Sequence, residues 1–126
     1  MQDDPTPSEI LAGVEALMRE TVMPELTGRT NYLVRVAANA VALVRRQMEL
    51  KAEFDAEELK RLHAILKHGG DDLFALNDEL EKKIANRELT LETPGLREHL
   101  WETTMAKLAV DQPSYAAYQR ALKTEL

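Results

Sequence analysis

Residues Thr30–Leu50 read TNYLVRVAANAVALVRRQMEL. Wound at 100° per residue, Leu33, Val34, Val36, Ala37, Ala40, Val41, Leu43, Val44, Met48 and Leu50 share an arc of roughly 200°, broken only by Gln47. The opposite arc carries Arg35, Ala38, Asn39, Ala42, Arg45, Arg46 and Glu49. An ordinary surface helix has an apolar stripe of ~100° or a little more. So broad an arc predicts a helix gripped by two or more neighbours, the central helix of an α-helical domain.

Working outward, helix signals punctuate the chain. Thr6-Pro7-Ser8-Glu9 is a capping box with proline at the first helical position, opening a helix to about Val22 that Pro24 ends. Leu26-Thr27-Gly28 connects it to the central helix, expected to reach about Lys51. Asp55-Ala56-Glu57-Glu58 has the pattern of a second capping box and predicts a third helix, with Leu59, Leu62, Ile65 and Leu66 inward. Lys67-His68-Gly69-Gly70 is a stop, with cations in the last turn followed by glycines. A fourth helix follows Asp71 or Asp72, with Leu73, Leu76, Leu80 and Ile84 at helical spacing. Asn86 to Glu92 is a polar linker. Thr93-Pro94 opens a fifth helix to about Val110, and Ser114 to Thr124 forms a last one with Tyr115, Tyr118 and Leu122. No segment alternates as a strand would. The expectation is all-α: a single domain over residues 1–126, a bundle of about six helices around a central helix at residues 30–51.

Composition narrows the function classes. With 126 residues, 44% apolar and 30% charged, the chain is long enough for one core and is neither disordered nor membranous. No apolar run approaches the ~20 residues of a bilayer span, and the N-terminus lacks a leader pattern, so a cytoplasmic location is expected. The absence of cysteine excludes disulfides, thiolate catalysis and thiolate zinc sites. A net charge of −6 argues against nucleic acid as a partner. The charge is uneven: residues 1–27 hold six acids and one base, whereas 29–51 hold five bases and one acid. That asymmetry suits two neighbouring helices with complementary surfaces, or an anion site along the basic helix.

Candidate chemistry is sparse. Ser8 and Ser114 both sit at helix starts, where a hydroxyl caps amides. The residues three before His63, His68 and His99 are Lys60, Ile65 and Leu96, so the Glu-x-x-His motif of di-metal bundles is absent. His99 and Glu102 alone are too few for a metal, and Gly69-Gly70 lacks the lysine and strand of a phosphate loop. No catalytic residue, metal or cofactor is expected. Two polar stripes remain as candidate ligand- or partner-binding sites. Arg35, Asn39 and Arg46 lie on the central helix, beside Ala38 and Ala42, whose small side chains would let a ligand or another helix approach the backbone. His99, Thr103 and Lys107 lie at i, i+4 and i+8 on the fifth helix. Each stripe also has a plain structural reading, as a solvated face or an internal pair such as Lys107 with Asp111.

The runs Pro5-Thr6-Pro7 with Leu11 and Val14, Pro24-x-Leu26-x-Gly28-Arg29 and Arg35-Val36-Ala37-Ala38-Asn39-Ala40 resemble an uncharacterised bacterial helical family, a small domain of unknown function. Leu76-Asn77, His99-Leu100 and Lys107-Leu108-Ala109-Val110-Asp111-Gln112-Pro113-x-Tyr115 extend the resemblance over nearly the whole chain. Gln112 stands where the family has asparagine before proline. The resemblance implies association with aminoglycoside-phosphotransferase-like kinases and acyl-CoA dehydrogenases, and supplies no activity or binding residues. Two functions follow as expectations. One is a non-catalytic accessory or protein-interaction module linked to acyl-CoA or phosphotransfer metabolism, with a homo-oligomer among its open states. The other is a helical domain that binds a small molecule, a phosphate ester or acyl-CoA, or acts on it catalytically.

Overall fold

The computed structural model describes residues 3–124, and every regular element among them is helical. α1 spans Pro7–Ala16, continues as a π-helical stretch Leu17–Val22, and ends in a 3-10 turn Met23–Glu25 at Pro24. α2 spans Gly28–Leu66, α3 Leu73–Ala85, α4 Leu96–Asp111 and α5 Ala116–Thr124. The capping box at α1 is formed: the Thr6 amide donates to Glu9 Oε2 at 2.7 Å, and the Glu9 amide to Thr6 Oγ1 at 3.2 Å. Asp72 caps α3 by accepting from the Ala75 amide at 3.2 Å. α4 starts at Leu96 rather than Pro94, because Gly95 at φ 85° supplies the left-handed turn before it.

The expected third helix does not exist as a separate element. Residues 52–66 continue the central helix, which runs unbroken through 39 residues. A capping box works only where the preceding backbone leaves helical geometry, and Leu50-Lys51-Ala52-Glu53-Phe54 contains neither glycine nor proline to make that break. Among the described residues five α-helices therefore stand where about six were expected. α2 ends with Lys67 at φ 59°, whose amide donates to the His63 carbonyl at 2.9 Å.

The chain divides into two compact units, one up to Lys51 and one from Ala52 onward, with the division inside α2. In the second unit, Leu62 and Ile65 of α2, Leu76 and Leu80 of α3 and Leu96 of α4 form the buried core, flanked by Leu59, Leu66, Leu73 and Leu89. Next to the Lys67 turn, His63 bonds the Gly70 carbonyl and His68 Nε2 lies 2.7 Å from Glu79. Among the described residues no helix is long and apolar enough to cross a membrane.

In the first unit, α1 and its π-helical continuation run antiparallel to α2. Ser8 donates to Glu49, Arg45 Nη2 to Glu15 Oε1 at 3.3 Å, and Arg19 Nη2 to Asn39 Oδ1 at 2.9 Å. Asn31 fastens the turn by donating to the carbonyls of Met23 at 2.8 Å and Leu26 at 3.2 Å. These ties fix which side of α2 faces α1. Ala38, Ala42, Arg45 and Glu49 form one stripe at i, i+4, i+7 and i+11, and the two alanines, 0% and 3% exposed, are buried on it.

Candidate functional site

This orientation reverses the expected burial of the central helix. The broad apolar arc is turned away from α1: Leu33, Val36, Leu43, Val44 and Met48 are each between 37% and 50% exposed, and Val34, Val41 and Leu50 are half-buried. The polar-arc alanines are buried instead. The physical reason lies in the polar ties that hold α1 to this side of α2. Small residues let two backbones come together, and the Glu15, Arg19, Arg45 and Glu49 charges at the edges of that contact pair with one another. Arg19 holds the Glu15 carboxyl below its ordinary pKa, burial opposes this, and Arg45 adds to the lowering. The small-residue stripe therefore admits a helix, and that helix is α1.

Asn39 and Arg19 mark one flank of the helix pair as polar. The other flank is aliphatic. Leu11 and Met18 of the first helical stretch are half-buried, while Ile10, Val14 and Leu17 are 40%, 40% and 54% exposed. Both helices of the first unit thus leave large aliphatic side chains exposed, along the free flank and on the sides they turn away from each other. Among the described residues the unit buries only Ala38 and Ala42 of its own.

The sequence candidates fall in different places. Arg35 is exposed and donates to Asn31 Oδ1 at 3.4 Å, Asn39 is exposed and occupied by Arg19, and Arg46 is half-buried. These three belong to the first unit. His99 and Lys107 belong to the second: His99 is 2% exposed, whereas Lys107 is exposed and makes no ion pair with Asp111. Between them, Thr103 Oγ1 is buried without a hydrogen-bond partner among the described residues. Asn31 carried no functional mark in the sequence, and its position just inside α2, five residues after Leu26, was the only hint of its tie to the turn.

His99 takes part in a polar cluster on the second unit's core. Arg61 Nε donates to His99 Nδ1 at 3.4 Å, and Asn77 Nδ2 donates to Glu58 Oε1 at 2.8 Å and to the Leu73 carbonyl at 2.9 Å. Burial first, and then the Arg61 guanidinium, lower the His99 pKa, against the opposing pull of Glu58. The ring is thus held neutral, with Nδ1 as acceptor. Beside this cluster α2, α4 and α5 line a half-open groove of ≈ 470 Å³. Phe54, Met105, Tyr118 and Leu122 give it apolar walls, and Arg61 shares its polar lining with Glu53, Glu57 and Glu102. The volume suits a small ligand. Three carboxylates against one guanidinium do not suit a phosphate ester or acyl-CoA. Among the described residues no group of three or more His, Asp or Glu side chains could hold a metal ion.

No curated protein and no solved structure matches the chain. A family model does, described as Domain of unknown function (DUF6285), over residues 24–115. That stretch runs from the 3-10 turn at Pro24 through α2, α3 and α4, most of the chain. The chain belongs to the DUF6285 family, a domain of unknown function.

Proposed function

We propose that this chain is a non-catalytic protein-interaction module, and that it binds protein through the aliphatic face of its α1–α2 hairpin. The observation that carries this reading is the outward apolar arc of α2. Scattered exposed leucines are ordinary on a protein surface, but contiguous large aliphatics on one face mark a binding surface. The face is aliphatic, and the half-open groove of the second unit is acidic, so a protein partner fits better than an anionic small molecule.

The family resemblance gives the metabolic setting of the proposal: acyl-CoA or phosphotransfer metabolism, in a cytoplasmic protein. An aminoglycoside-phosphotransferase-like kinase or an acyl-CoA dehydrogenase is then the enzyme served. The test is co-purification of tagged wild type, Val44→Asp and Lys107→Ala chains with those two enzyme classes from the native host, identified by mass spectrometry. The expected result is an enzyme held by wild type and Lys107→Ala and lost from Val44→Asp. Equal capture by all three chains would contradict the role of the face.

A further inference from the structure

The hairpin's aliphatic face has a definite size and charge setting, and both bear on what covers it. A two-helix hairpin that buries two alanines has little core of its own. Helices in proteins draw most of their stability from an apolar face packed against something else. Eight large side chains of the hairpin stand between 37% and 54% exposed. At ordinary side-chain areas they offer roughly 600 Å² of apolar surface, close to the ~800 Å² each partner contributes to a standard stable interface.

The charges select the occupant. Residues 1–27 carry six acids and one base and residues 29–51 one acid and five bases, so the hairpin is near neutral at −1. The remainder of the chain carries the rest of the total −6. Only part of the hairpin's charge is used internally: Glu20, Glu25 and Arg29 make no ion pair among the described residues. We infer that, while no enzyme is bound, the face is closed by a second copy of this chain, two hairpins forming a four-helix bundle about a two-fold axis, with α1 of each copy against α2 of the other, so that enzyme and second copy compete for it. This inference rests on the reading of the face as a protein-binding surface.

The two-fold arrangement sets acidic helix on basic helix twice, whereas α2 on α2 would set like charges together. It also supplies matching aliphatics to each helix, as antiparallel four-helix bundles require. Gln47 is the single polar side chain within the arc. A lone polar residue in an apolar seam fixes register and the number of chains.

Sedimentation equilibrium of the purified chain over a range of concentrations tests the inference. Wild type is expected at twice its 14.2 kDa. Val44→Asp is expected to weaken the dimer at least about a hundredfold while keeping its far-UV helicity, because it places an unpaired charge in the seam of both copies. The exposed charge reversals Glu20→Arg and Arg29→Glu do not depend on core packing. Each should weaken self-association, and mixing the two variants should restore it in part. Wild type sedimenting as a monomer throughout overturns the inference, whether or not it gains mass on adding the kinase or dehydrogenase. The broader reading then stands or falls separately, on the co-purification of an enzyme.

Discussion

His99 and Asn31 show how much a single side chain does here for the fold itself. His99 is buried, and its pKa is lowered by that burial and by Arg61. The unfolded histidine titrates near 6.5, so between that value and the lower folded one the unfolded chain binds the extra proton. Its contribution to stability is fully present above about pH 6.5 and is lost as the pH falls through the folded value. Thermal melts of His99→Gln should therefore lose less stability than wild type between pH 7 and 5.5, and parallel curves would contradict the assignment. Asn31 and Asn39 make a second comparison. Asn31→Ala leaves two half-buried carbonyl contacts unmade and should cost ~1–2 kcal/mol. Asn39→Ala removes an exposed contact with Arg19 and should change stability by ~0.5 kcal/mol or less. Equal effects in chemical denaturation would refute this ranking. The sequence pointed to Asn39 because mid-helix asparagine is disfavoured. Asn31's task depends on two carbonyls of a turn whose path no local pattern specifies.

At the scale of elements, local chemistry was legible wherever it was sufficient. Thr6 with Glu9 and Asp72 before Leu73 satisfy their own helix ends, and the stop falls after Leu66 where it was expected, although Lys67 and not Gly69 or Gly70 takes the left-handed turn. Asp55 with Glu58 has the same pattern but sits inside α2, because acids at this spacing are also common on helix surfaces and nothing breaks the backbone before them. Ala52→Pro distinguishes the two cases. Proline is tolerated in a connection before a capped helix, but inside an unbroken helix it should cost ~3 kcal/mol or more, read as a lowered melting temperature. The contact of α1 with α2 makes the complementary prediction. Ala42 is 3% exposed on the tied side, so Ala42→Leu should overpack the contact and cost ~1–3 kcal/mol in denaturant unfolding. A neutral effect would show that the helices are not held by close approach.

At the scale of the whole molecule, the direction of the apolar arc was the feature the sequence left open. Periodicity identifies which side of a helix is to be kept from water, but not which molecule does so. The arc of α2 was expected to be covered from within one domain, yet α1 takes the small-residue side and leaves Leu33, Val36, Leu43, Val44 and Met48 outward. The all-helical class and the central helix followed from periodicity and caps alone. The acidic groove did not, because it depends on Tyr118 and Leu122 of α5 coming to lie beside Phe54 and Arg61 of α2. The chain has no cysteine, so a single introduced thiol reports on one position. The most direct measurement is the maleimide-labelling rate of Val44→Cys and of Ala38→Cys as a function of protein concentration. Ala38→Cys should stay protected at every concentration, while Val44→Cys should label fast when dilute and progressively more slowly as the chain associates. A Val44→Cys thiol protected even at the highest dilution, in a chain that still melts cooperatively, would contradict the outward face on which the account rests.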